Sequence, residues 1–301
     1  MAVTDASITT TTAASFVPEI WSDEALEAVE FAAVIQKRVN TDYQSDMTIG
    51  NTYLIPRLSN LTTQTKSAGV ANTIDFEAIT ESQQSVTIAT HEYAAFLLEN
   101  VVAVQANQDL RAKYSKKIGY ALTRGREVNL AGLAASFSTY TVGTLGIELT
   151  SDDYLQVWQN FASAGLFGDG TDPDADFSLF VSPAAYAAQL KVDLFTNRDY
   201  KGDGAAIERA EVGDIYGMPS YLSNLLTSPA GGQHDCMAIH REGVCLIVQK
   251  EVPVVSQYLI RYLADGVAGW NLYGYADVSF PPETPGGGTA VDNRCQWLKT
   301  V

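Results

Sequence analysis

Four carboxylates crowd the stretch Gly168-Asp169-Gly170-Thr171-Asp172-Pro173-Asp174-Ala175-Asp176. Hard cations such as calcium take oxygen ligands of this kind, so Asp169, Asp172, Asp174 and Asp176 are the candidate metal ligands. Against them, Pro173 interrupts the loop, the distant bidentate glutamate of an EF-hand is missing, and Asp with Gly is the ordinary composition of an exposed turn. A second cluster, His234, Asp235, Cys236 and His240, mixes zinc-competent groups. If Cys236 to Ile239 is a strand, its side chains alternate between faces, and no second cluster closes a tetrahedron. Only His91, His234 and His240 are available as imidazole bases, and no Gly-x-Ser-x-Gly elbow is present, which leaves nucleophilic catalysis without a machinery. Gly-x-x-x-x-Gly-Lys-Ser/Thr and Gly-x-Gly-x-x-Gly are both absent, and with them the loops that cradle phosphates. By elimination the sequence points to a protein that works through its surfaces, with no enzymatic activity and no cofactor.

The composition narrows this further. A chain of 301 residues, 46% hydrophobic, is long enough for a sizeable core in one or two domains. Nineteen basic against thirty-five acidic residues leave a net charge of −16, which repels a phosphate backbone and disfavours sequence-specific nucleic-acid binding. The cysteines Cys236, Cys245 and Cys295 are odd in number and form no CxxC pair, so they read as buried or incidental thiols of a reducing compartment. No apolar run approaches the roughly 20 residues of a membrane helix. Met1 to Ala14, rich in Thr, Ala and Ser, lacks the basic and apolar regions of a secretory signal and reads as a flexible arm.

Along the chain, Ser22 is placed to cap a helix towards Val34, with Asp23 and Glu24 in its first turn. Strands are expected from Asp46 to Pro56 and from Ser85 to Thr90, enclosing the polar stretch Ser59 to Asp75. They form a long hairpin whose tip carries too little apolar surface to bury itself against its own subunit. Leu110, Tyr114, Ile118, Ala121, Leu122, Gly125 and Val128 recur at spacings of three and four, predicting a helix from about Asn100 to Ala135. Its other faces carry Arg111, Lys113, Lys116, Lys117, Arg124 and Arg126, six of the nineteen basic residues. A solvated helix face is the common reading of such a run; contact with an acidic neighbouring surface or with enclosed DNA is the functional one.

Further on, a helix is expected from about Asp152 to Ala164, a strand at Phe177 to Val181, and a helix opened by Ser182-Pro183. Later strands are expected at Ser220 to Ser223, Cys236 to Ile239, Val244 to Gln249, Tyr258 to Leu263 and Val267 to Tyr275, an α+β pattern. Tyr258, Tyr262, Trp270, Tyr273 and Tyr275 suit a packed core or an interface, with the core expected for those alternating on a strand. Pro281-Pro282 and Pro285-Gly286-Gly287-Gly288 break both periodicities, so Thr289 to Val301 reads as a tail on a flexible joint.

This order of features resembles the major capsid proteins of tailed bacteriophages, the Hong Kong 97-type fold, from about Phe16 to Phe280. Phe16-Val17-Pro18-Glu19-Ile20-Trp21-Ser22 resembles the family's N-terminal arm, and Asp46 to His91 its extended loop. Asn100 to Ala135 resembles its spine helix. The most specific sign is Phe180-Val181-Ser182-Pro183-Ala184-Ala185-Tyr186 followed by Gly213-Asp214-Ile215-Tyr216-Gly217-Met218-Pro219-Ser220, which resembles the axial domain. Ala238-Ile239-His240-Arg241-Glu242-Gly243-Val244 with the strand after it, and Leu259 to Phe280, resemble the strands that run out to the peripheral domain and back.

The resemblance implies an arm at 1–45, an extended hairpin loop at 46–92, a peripheral domain at 93–148 and 243–263, an axial domain at 149–242 and 264–283, and a tail at 284–301. It implies hexamers and pentamers that close into an icosahedral shell around double-stranded DNA, assembled in the bacterial host cytoplasm and located in the virion capsid. The hairpin tip, Thr62, Thr63, Gln64, Thr65 and Lys66, would then reach a neighbouring subunit. Lys66 is the one lysine of the hairpin, which permits the lysine–asparagine link some members form; a solvated lysine is the ordinary reading. The implied partners are the chain itself, a portal, a separate scaffolding protein (the N-terminal segment being short for a built-in one) and decoration proteins, with no membrane. An encapsulin-like compartment enclosing a cargo protein is the alternative within the fold. A calcium-dependent binding or adhesion module, with Gly168 to Asp176 as its site, is the alternative from another class.

Overall fold

The computed structural model describes residues 33–45, 47–58, 61, 63–66, 74, 76, 81–99, 110–137, 139–166, 176–192, 195, 213–226, 234–278 and 294–300. The expected helix at Ser22 and most of the Gly168 to Asp176 loop lie outside these residues.

The central element is strand β5 (Phe177–Val181), in which every residue is buried. A strand covered on both faces reads as a near-continuous apolar run, and Phe-Ser-Leu-Phe-Val is apolar at every position but Ser178. It lies in a six-stranded sheet with β4 (Thr141–Val142), β6 (Asp214–Ile215), β7 (Met218–Leu222), β8 (His234–His240) and β11 (Cys295–Thr300), in the order β4-β11-β8-β5-β7-β6. The β5–β7 and β4–β11 pairs are parallel and the others antiparallel.

Two helices belong to the core on one face of this sheet. One is α2 (Ser151–Ser163), opened by Thr150, whose hydroxyl accepts from the Asp153 amide while the Asp153 carboxylate accepts from the Thr150 amide. The other is α3 (Pro183–Gln189), capped by Ser182 with proline at its start. Tyr154, Val157 and Phe161 of α2 pack with Phe177, Leu179 and Val181 of β5 and Leu298 of β11. The opposite face places Phe180, Met237 and Ile239 against Ile35, Val39, Leu130 and Ala134. β6 and β7 are joined by Tyr216 and Gly217 at φ 50° and 80°, a two-residue turn whose positive φ angles match the twist of the strands it joins.

A second sheet is built from β3 (Thr90–Glu99), β9 (Val244–Leu259) and β10 (Ala264–Asp277), in the order β3-β10-β9, all antiparallel. Helix α1 (Leu110–Gly132) packs on one face of it through Ile118 and Leu122, which meet Ala94, Phe96 and Val267. A two-stranded ribbon, β1 (Thr52–Leu58) with β2 (Glu81–Thr87), forms a sheet of its own.

Several expectations are corrected here. Within the expected tail, Thr289 to Val301, residues Cys295 to Thr300 form an interior strand between β4 and β8, with Cys295 and Leu298 wholly buried. The segment at 264–277 pairs with β3 and β9, in a sheet separate from that of β5 and β8. Tyr258 to Leu263 is the end of β9 followed by a 3-10 turn over Ile260–Tyr262, and Tyr258 and Tyr262 are exposed while Tyr273 is fully buried. β3 stands immediately before the segment expected as helix, and the described helix begins at Leu110.

None of the three cysteines is in a disulfide, and all three are buried. Burial pushes the Cys236 thiol up to about 11 and that of Cys245 to about 12. A thiolate-selective reagent at pH 8 is therefore expected to label none of them in the native chain and all three in denaturant; rapid labelling of the folded protein would contradict this packing.

Candidate functional site

The ribbon is anchored at its base and open beyond it. Ile55 and Val86 face one side and join Met47, Ile88, Cys245, Ile247 and Val278 in a small apolar cluster. The Gln84 side chain donates to the Asp277 carbonyl at 2.6 Å, and that of Gln249 to the Gly50 carbonyl at 2.8 Å. The ribbon base crosses β10 at Gly274, where any Cβ would lie 2.6 Å from the Thr87 carbonyl oxygen, so only glycine permits this approach. Pro56 does not end β1, because in a two-stranded ribbon a residue without an amide proton sits on an edge at no cost to a second neighbour.

Beyond the base, Thr63, Gln64, Thr65 and Lys66 are exposed, while Thr62 lies outside the described residues. Beside these expected tip residues the ribbon also presents apolar side chains: Leu61, Ile74 and Phe76 are 63%, 68% and 95% exposed. Phe76 was the residue that sequence reasoning missed. Its signal is a bulky aromatic directly after the polar stretch Ser59 to Asp75, where no periodicity of its own chain provides it with a burial partner.

A second apolar surface lies on the face of the β3-β10-β9 sheet turned away from α1. β3 alternates strictly: Ala94 and Phe96 face the helix, and Tyr93, Ala95 and Leu97 face outward. Their cross-strand partners are Trp270, Ala268 and Gly266 on β10, and beyond these Val255 and Gln257 on β9. Tyr93 is 77% exposed, and a groove of about 510 Å³ runs over Ala95, Leu97, Val255, Gln257 and Leu259. An open, apolar sheet face of this kind is a candidate interaction surface.

Between α1 and the sheet lies a polar layer. The Asn129 amide donates to the Glu92 carboxylate at 3.0 Å and to the Tyr273 hydroxyl at 2.6 Å, and burial raises the Tyr273 pKa. Arg126 makes two 3.2 Å bonds to Glu251 and is only 8% exposed, which corrects its place in the expected basic face. Of the other residues of that face, Lys116 and Arg124 are exposed and Lys117 is half-buried; the side chains of Arg111 and Lys113 lie outside the described residues.

Glu127, fully buried, accepts from the Ile35 amide at 3.1 Å and the Gln36 amide at 3.0 Å, tying the end of the N-terminal segment to α1. Burial raises its carboxyl pKa above the ordinary 4.5, and the amides of Gln36, Ile35 and Val34 pull it back down. A carboxyl that holds its proton more tightly when folded stabilises most below its unfolded value, and that contribution declines as pH rises through the folded value. The melting temperature of the wild type relative to Glu127→Gln is therefore expected to fall from pH 4 to pH 7. A difference that stays constant with pH would show that this carboxyl does not titrate differently in the two states.

Of the expected metal ligands only Asp176 is among the described residues. Asp176 lies 3.8 Å from Arg38, and Asp169, Asp172 and Asp174 lie outside the described residues. Asp235 accepts from the Trp297 indole at 2.9 Å, Cys236 is buried against Ser182, and His240 meets the Phe177 ring edge to face. Among the described residues no three His, Cys, Asp or Glu side chains are grouped to hold a metal ion, and no described helix is long and apolar enough to cross a membrane.

No protein-family model matches the sequence, and no curated protein sequence matches it. Solved structures do. A structure from Mycobacterium phage Che8 superposes with a TM-score of 0.76 at 19% identity, over 94% of this chain and 97% of that one. The capsid structure of the cyanophage P-SCSP1u gives 0.71 at 17% identity, over 96% and 94%. The asymmetric unit of the bacteriophage PhiM1 mature capsid gives 0.69 at 16% identity, over 94% and 92%. Likeness over nearly the whole of each chain makes this an α+β fold of the phage capsid type.

Proposed function

We propose that the chain is the structural subunit of a tailed-phage capsid of the Hong Kong 97-type, assembling as hexamers and pentamers into a closed shell around double-stranded DNA. The observation that carries this reading is the pair of complementary unfilled surfaces on one fold. An anchored ribbon presents Leu61, Ile74 and Phe76, and an open sheet face presents Tyr93, Leu97 and Val255. In the proposed shell the ribbon of one subunit lies across the open sheet of the next, and the contact repeats around each closed ring. Closed symmetry makes many modest contacts collectively strong. In this reading α1 is the spine helix and the six-stranded sheet belongs to the axial domain. The net charge of −16 lets packaged DNA move without sticking to the wall.

The test is the mass of the purified full chain by light scattering. Species many times the 32.5 kDa subunit, alone or with a scaffolding partner supplied, are expected. A chain that remains monomeric in both conditions is not a shell subunit. Particles that protect DNA from nuclease support a genome shell, whereas particles holding only protein move the reading to a cargo compartment.

A further inference from the structure

The outward side of α1 is covered in its C-terminal half and open in its N-terminal half. Glu127, Leu130, Ala131 and Ala134 lie under residues 34–39, with Ile35 and Val39 packed against Leu130 and Ala134. At the 3.6-residue period the same stripe continues through Arg124, Tyr120 and Lys116. Lys116 and Arg124 are exposed, and no carboxylate among the described residues pairs with either. Glu127 is the one acidic residue of α1 against six basic ones, and it is buried, so the open part of the stripe is cationic.

The chain that arrives at this stripe has the opposite charge. Before Lys37 the sequence contains Asp5, Glu19, Asp23, Glu24, Glu27 and Glu30 and no lysine or arginine. Glu24, Glu27 and Glu30 are spaced by three, close to the three- and four-residue spacing of the basic stripe. At about 1.5 Å per residue Lys116 lies roughly 16 Å along the axis from Glu127. Glu24 lies eleven positions before Ile35, whose amide meets Glu127, and that length of chain covers the span whether helical or extended.

We propose that the acidic segment Glu19 to Ala32 docks along the open, cationic side of α1 in its own subunit, with Glu24, Glu27 and Glu30 over Arg124 and Lys116. The occupant is the subunit's own segment because Glu127 already fixes residues 35 and 36 at the end of this stripe. Docking of this kind neutralises a basic surface on an acidic molecule and leaves the helix face unavailable to DNA.

The test is hydrogen–deuterium exchange on the purified full chain at low salt, read on peptides covering residues 19–32, and it is independent of whether the chain builds shells. In the wild type these amides are expected to exchange about tenfold more slowly than in the double variant Lys116→Glu/Arg124→Glu. The triple variant Glu24→Lys/Glu27→Lys/Glu30→Lys should lose the same protection, and combining both sets should restore it. Amides of β5 and β8 that stay protected in every variant show that the fold is retained. The proposal is overturned if the segment is unprotected in the wild type, if charge reversal leaves protection unchanged, or if protection appears only in assembled particles, which would assign the segment to a second subunit.

Discussion

Deleting Thr62 to Ala71 from the full chain is expected to give a folded, soluble subunit that no longer builds particles. The base of the ribbon does not depend on those residues, because Ile55, Val86 and Ile88 pack with Met47, Cys245 and Val278, and β1 pairs with β2 from Thr52 to Leu58. The melting temperature should therefore hold. Phe76→Asp is the sharper form of the same experiment: a side chain 95% exposed contributes almost nothing to the stability of the isolated subunit. If its ring is buried against a neighbour, its loss costs about 2 kcal/mol or more at every contact, roughly thirtyfold in each association constant. Sedimentation of wild-type and variant lysates, with circular dichroism of the soluble fractions, checks both halves. Normal particle yield from either variant would remove the ribbon from the assembly mechanism.

The second large effect concerns the end of the chain. Truncation before Arg294 is expected to prevent folding of the six-stranded sheet, since β11 hydrogen-bonds on both sides, to β8 and to β4. Gln296 donates to the Val157 carbonyl at 2.9 Å and accepts from the Asn160 amide at 3.0 Å, so the strand also fastens α2. Leu298→Ala, at a wholly buried position, should cost about 3 kcal/mol and lower the melting temperature by roughly 5–10 °C, whereas Lys299→Ala should cost little. Differential scanning calorimetry reads this directly. A truncated chain that melts like the wild type would return this segment to the role of a tail.

That strand also shows what the sequence conceals. Ser182-Pro183 and the apolar run of β5 carry local start signals and a burial pattern of their own, and both elements could be read without any partner. Cys295 to Thr300 is six residues long and follows a proline- and glycine-rich stretch, and only its pairing with a strand some sixty residues earlier in the chain makes it interior. β3 failed for a different reason. Tyr93, Ala95 and Leu97 on its open face are as apolar as Ala94, Phe96 and Leu98 on the other, which erases the alternation that identifies a half-buried strand.

The candidate site was only partly readable for the same reason. Length and polarity marked the ribbon as a long excursion, but counting polar residues hid Phe76, and charge alone placed Arg126 on an outer face it does not occupy. Its guanidinium turns instead towards Glu251, a residue 125 positions away, and no local pattern carries that information.

Electron cryomicroscopy of particles assembled from the full chain tests the shell reading most directly. Closed shells are expected, with the ribbon of each subunit lying on the Tyr93, Leu97 and Val255 face of the subunit beside it. Absence of particles under every assembly condition would contradict the proposed function, and so would a closed particle in which that sheet face is bare and the ribbon folds back on its own subunit.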